Sequence, residues 1–153
     1  MSLGKRIQED LVLSMKNREE TRLSTLRMLK AALQLAQVEK GKGNDLTDEE
    51  VLVVVQRLIK QRREASEQYR DHGVEDRAKQ ELEEACILEA YLPEQLSDGE
   101  IALLAREAAI ASGAQGPRDM GKVMAILMPK VKGKAEGSRV RAAVSQLLEK
   151  NRS

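Results

Sequence analysis

From Asp48 to His72 the chain runs without a glycine or a proline. No other feature constrains the fold as tightly. The VLVVV segment inside this run, Val51–Val55, is β-branched and would suit a strand taken alone. Its neighbours rule that out. Val51, Val54, Val55, Leu58, Ile59, Ala65 and Tyr69 mostly hold the spacing of one helical face, and nothing breaks the backbone between them. Thr47 and Glu50 form the S/T-x-x-E pattern of a capping box, so the start is marked. His72-Gly73 marks the stop, with a histidine near the last turn and a glycine beyond it.

The remaining segments follow the same logic. There is no Phe or Trp, and Tyr69 and Tyr91 are the only aromatic residues. Cores must therefore be made from Leu, Val, Ile, Met and Ala, a set that favours helices. Leu3, Ile7, Leu11 and Met15 make one stripe of a first helix ending near Asn17. Leu23, Leu26, Leu29, Leu33 and Ala36 face inward on a second, from about Glu19 to Glu39, closed by the GKGND connection. A fourth helix, Glu75 to about Tyr91, is expected to bury Ala78, Leu82, Ala85, Cys86 and Leu88. Pro93 disfavours helical geometry at Leu92 and is the best boundary in the chain. Ser97 and Glu100 form a second capping box, opening a fifth helix that ends at Gly113. A sixth is expected from about Arg118 to Met128, stopped by Pro129. A seventh should start at Ser138 as N-cap and bury Val140, Val144, Leu147 and Leu148. The expectation is an all-α protein: an N-terminal helical domain of about four helices over residues 1–93, then a three-helix bundle over 94–153.

The formal net charge is +1, which carries no global nucleic-acid signature, but the distribution is uneven. Between Pro117 and Arg141 seven basic residues face two acids, a local charge of +5. Cys86 is the sole cysteine, which excludes an intramolecular disulfide and fits a reducing compartment. The opening MSLGKRIQEDL has no apolar signal core, and no apolar run is long enough to span a bilayer. The expectation is a cytoplasmic protein without membrane contact.

Catalytic constellations are missing from the pattern. His72 and Cys86 are the only His–Cys pair, and their positions suit a helix cap and a core thiol. No P-loop pattern occurs, and no set of His, Asp and Glu has metal spacing. Neither catalytic residues, a metal nor a cofactor is therefore expected. Met120, Met124 and Met128 form a stripe that suits core packing, with an adaptable partner groove as the alternative. Arg57, Lys60 and Arg63 could form a secondary basic patch, although Glu64 and Glu67 lie close enough to pair with such a face.

The strongest candidate is the segment PKVKGKAEGSRVR. In extended form it would set Lys130, Lys132 and Lys134 on one side and let Val131 pin the other. Gly133 and Gly137 permit positive φ or close approach. A helix starting at Ser138 would add free N–H groups, and Lys122, Arg139 and Arg141 add charge. Lysine-rich loops are by default solvated connections. Here lysines, glycines and a helix start converge on phosphate binding. With two aromatic residues in the chain, stacking on unpaired bases is disfavoured, so contact would be with the backbone of folded RNA.

LRMLKAALQLAQVEK, LTDEEVLVVVQRLIKQRREASEQY, AYLPEQLS and above all DMGKVMAILMPKVKGKAEG resemble the GatB/YqeY family, in order and over essentially the whole chain. Lys134 and Glu136 replace residues more often Arg and Asp there, and both keep the charge. The resemblance implies a helical module related to the C-terminal tail of the B subunit of the tRNA-dependent amidotransferase, a tail expected to touch tRNA. The catalytic parts of that enzyme lie in other domains and subunits. Two functions follow from it: a non-catalytic tRNA- or RNA-binding module accessory to tRNA amidation, or a carbon–nitrogen ligase with glutamine as amido-N-donor. A third reading, a protein–protein adaptor, rests on the methionine stripe. The implied partners are tRNA or another structured RNA, with amidotransferase subunits or an aminoacyl-tRNA synthetase.

Overall fold

The computed structural model describes residues 2–41 and 43–150. Lys42, inside the expected GKGND connection, lies outside the described residues, as do the extreme ends of the two expected domains. The described chain is all-α: α1 (Leu3–Lys16), α2 (Glu20–Lys40), α3 (Asp48–Asp71), α4 (Glu75–Glu89), α5 (Asp98–Ser112), α6 (Met120–Val131) and α7 (Gly137–Lys150), with a 3₁₀ turn at Pro117–Asp119. It divides into two compact units, Met1–Leu92 and Pro93–Ser153.

In the first unit α3 carries VLVVV as helix. Thr47 accepts from the Glu50 amide while the Glu50 carboxylate accepts from the Thr47 amide, so both halves of the capping box are made. Lys40 reaches the same carboxylate at 2.6 Å. That bond, with the cap itself, holds the Glu50 carboxyl down at about 2. Val54, Val55, Leu58 and Ile59 are buried against Leu26 and Leu29 of α2, Ile7 and Leu11 of α1 and Ala85 and Leu88 of α4. Tyr91 closes this core from beyond α4. Its ring is buried, its hydroxyl donates to Asp10 at 2.6 Å, and the Arg6 guanidinium lies 5.0 Å above the ring. Burial first, and then the Asp10 carboxylate, push its phenol up to about 12.

Two stripes differ from expectation. On α1 the stripe breaks at Met15, which is exposed, and Ser14 is buried in its place. The Ser14 hydroxyl is satisfied by donating to the Asp10 carbonyl at 2.8 Å. On α4 the inward face is Ala78, Ala85 and Leu88, which leaves Leu82 and Cys86 exposed. The 78–85–88 positions share one stripe, whereas 82 and 86 belong to the adjacent one. Arg62 of α3 lies beside the buried stripe. It pairs with Glu81 at 3.3 Å and Glu84 at 3.9 Å, and both carboxylates must then face α3.

The second unit is built by α5, α6 and α7. Ser97 and Glu100 complete the second capping box, and Gly113 ends α5 in the left-handed region. Ala105 and Ala108 of α5, Val123, Leu127 and Val131 of α6, and Val140, Val144 and Leu148 of α7 are buried together. Leu147, expected inside, is half-buried at its edge, as is Leu104 of α5.

Pro129 does not end α6, which continues through it to Val131. Proline lacks the N–H that would donate to the Ala125 carbonyl, so one helical bond is missing. The helix is nonetheless carried on, because Val131 is fully buried and its carbonyl accepts from the Lys134 amide at 2.8 Å. Ser138 is likewise not the N-cap, since α7 already includes Gly137.

Leu127 sits at the centre of this core with no exposed surface. Leu127→Ala is expected to cost about 2–5 kcal/mol. Urea unfolding of the parent and the variant checks this.

Candidate nucleic-acid interface

The lysine segment is a tight turn rather than an extended strand. Lys130 lies in the last turn of α6, Lys132 is its C-cap, and Gly133 follows at φ +80°. The lysines therefore do not share one side by strand alternation. They are nevertheless all exposed, while Val131, between the first two, and Ala135, just after the third, are buried. The two small apolar anchors pull the backbone onto the core and leave the three ammonium groups outside.

The turn is also tied from the other side. The Leu96 amide donates to the Lys134 carbonyl at 2.8 Å. The Gln95 side-chain amide donates to the Gly133 carbonyl at 3.0 Å and to the Pro93 carbonyl at 2.7 Å. Each such bond contributes about 1 kcal/mol. The lysines thus project from a backbone held by the segment leading into α5. In the sequence AYLPEQLS marks a boundary at Pro93. Its pairing with the lysine turn is a tertiary fact that no local pattern carries.

Arg139 plays a different part from the lysines. Its guanidinium donates to Asp98 from Nε at 3.2 Å and from Nη2 at 2.6 Å, and to the Leu96 carbonyl at 3.2 Å. It locks the start of α5 to the start of α7. The amides of Arg139 and Val140 both donate to the Glu136 carbonyl, so neither is left for an anion. Gly137 and Ser138 are exposed in the first turn of α7, and Arg141 is exposed one turn further on. Lys122 is exposed on α6 and lies 3.7 Å from Asp119. The Asp119 carboxyl is held below its usual range, chiefly by the Gln115 amide that donates to it.

The secondary patch lies on α3 in the first unit. Arg57 is exposed, Lys60 is 4.0 Å from Glu64, and Arg63 pairs with Glu89 of α4. Met120, Met124 and Met128 are half-buried against the second core, which makes the stripe packing. The His72 Nδ1–H donates to the Gln68 carbonyl at 2.7 Å, while Cys86 is exposed along α4. Among the described residues no group of three or more His, Cys, Asp or Glu is placed to hold a metal ion. Among them, too, no helix is long and apolar enough to cross a membrane.

The family model for the Yqey-like protein matches residues 4–148, spanning both units. The chain belongs to the Yqey-like protein family. It is also similar to the altered inheritance of mitochondria protein 41, mitochondrial, of Pyrenophora tritici-repentis (strain Pt-1C-BFP). The two are 27% identical over 135 residues, covering 87% of this chain and 73% of that protein. The family's match takes in both the Gln95-Leu96 segment and the lysine turn that it holds.

Gly133 and Gly137 looked alike in sequence and differ in the structure. Gly133→Ala meets only the Pro93 ring at 3.7 Å, but it must adopt a left-handed backbone. A loss of about 1–2 kcal/mol is expected. Gly137→Ala meets nothing within 4 Å and needs no positive φ. It should stabilise the chain by about 0.4–1 kcal/mol through the unfolded state. Parallel denaturation curves of the two variants check the opposite signs.

Proposed function

We propose that this protein binds the phosphate backbone of structured RNA, tRNA first among them, through Lys130, Lys132 and Lys134. Lys122 and Arg141 add charge at the margins. One observation carries the proposal: three exposed lysines stand on a turn whose backbone is tied by Gln95 and Leu96 and anchored by Val131 and Ala135. A phosphate ligand then meets cations whose backbone ordering is already done, and only side-chain entropy remains to be lost. The choice of tRNA rests on the resemblance to the amidotransferase tail.

In this reading the chain does no chemistry itself and serves an amidotransferase or an aminoacyl-tRNA synthetase as an RNA-holding accessory. A carbon–nitrogen ligase would need an activated nucleophile beside a base. The His72 ring is engaged with its own helix instead. Arg57, Lys60 and Arg63 are at most an auxiliary contact, since the last two already have carboxylate partners.

Backbone binding releases counterions, so affinity should fall steeply with salt and discriminate weakly between sequences. Changing Lys130, Lys132 and Lys134 together to Gln should weaken binding to different tRNAs about equally. The log–log salt slope should become shallower by about 2–3. Circular dichroism should be unchanged, because all three side chains are exposed. Titrations of parent and variant at several salt concentrations check this. Unchanged affinity and slope in a folded variant would reduce the turn to a solvated connection.

A further inference from the structure

The outer face of α5 carries two large apolar side chains in water, Leu103 at 53% and Ile110 at 76% exposure. They are seven residues apart and so lie on one stripe. Arg106 and Glu107, both exposed, fall between them along the helix. At 3.6 residues per turn they stand about 50° to either side of the stripe, one cationic flank and one anionic flank.

We infer that this face binds a second copy of the chain, α5 against α5, in parallel about a two-fold axis running along the helices. The charges select both the occupant and the direction. An axis parallel to the helix brings the Arg106 flank of each copy against the Glu107 flank of the other, so two ion pairs form across the seam. Leu103 then meets the partner's Leu103, and Ile110 meets the partner's Ile110. In an antiparallel pair each flank would meet its own kind, arginine against arginine and glutamate against glutamate. Within one chain Arg106 and Glu107 are adjacent and do not face each other. Their complementarity is realised only between copies.

The contact is modest. A 15-residue helix is about 22 Å long, and one such pair buries less than the roughly 1,200–2,000 Å² of a stable interface. Association should therefore be weak and concentration-dependent. It uses none of the lysines at the α6–α7 turn and stands or falls apart from RNA binding.

The test uses the full chain. Sedimentation over a concentration series should show reversible dimers. Arg106→Glu and Glu107→Arg, made singly, should each weaken dimerisation about tenfold, and the two combined should restore it, because the pairs are re-formed with signs exchanged. In a Cys86→Ala background, Ile110→Cys should form a disulfide-linked dimer on mild oxidation. Val38→Cys, equally exposed on α2, should not. All these positions are exposed, and circular dichroism verifies that each variant is folded. A parent that stays monomeric, a double variant as weak as the singles, or equal cross-linking from Val38→Cys would overturn the proposal.

Discussion

Every core contact in this protein is made without phenylalanine or tryptophan, and that constraint sets how its helices meet. An aromatic side chain can fill a wide gap between helices, whereas alanine and valine bury surface only when backbones approach closely. The structure shows the consequence on α5, where Ala105, Ala108 and Ala109 are buried. Facing them, Val123 and Leu127 of α6 and Val140 and Val144 of α7 have no exposed surface. Tight spacing of this kind leaves little freedom for the connections. The α6–α7 turn is drawn in with Val131 and Ala135, and that positions the lysines.

A backbone held this closely can display cations at low cost in ordering. Lys132 and Lys134 flank Gly133, the one residue of the turn whose φ of +80° calls for glycine. The carbonyls of Gly133 and Lys134 are both taken by the segment before α5. Arg139 shows the other use of charge. Beside the same turn, it is committed to Asp98 and the Leu96 carbonyl, and so braces the site. Two basic residues a few positions apart thus have separate work, decided by whether a carboxylate lies within reach.

Much of this was legible beforehand wherever the governing interaction is local. Both capping boxes were, because Thr47–Glu50 and Ser97–Glu100 satisfy their own amides within one turn. The helical state of VLVVV was as well, since its spacing outweighs β-branching. The failures share a cause, a decision taken by distant residues. Pro129 is tolerated inside α6 because burial of Val131 and the Lys134–Val131 bond offset a missing helical hydrogen bond. Cys86 and Leu82 are outside because α4 buries Ala78, Ala85 and Leu88 instead, with Glu81 and Glu84 paired to Arg62 of α3. In the candidate site, the cluster of lysines was visible. Its tie to Gln95 and Leu96, and the diversion of Arg139 to Asp98, were not.

Amide chemical shifts test the proposed phosphate contact residue by residue. Titrating the isotopically labelled full chain with tRNA at moderate salt is the most direct measurement. The amides of residues 130–141 should shift together and saturably, with changes near Arg57 and Lys60 smaller and later. The shifts should fade as salt is raised, as counterion release requires. Perturbations confined to α3, or spread evenly over the chain with the turn unmoved, would contradict a tRNA-binding role for the lysine turn.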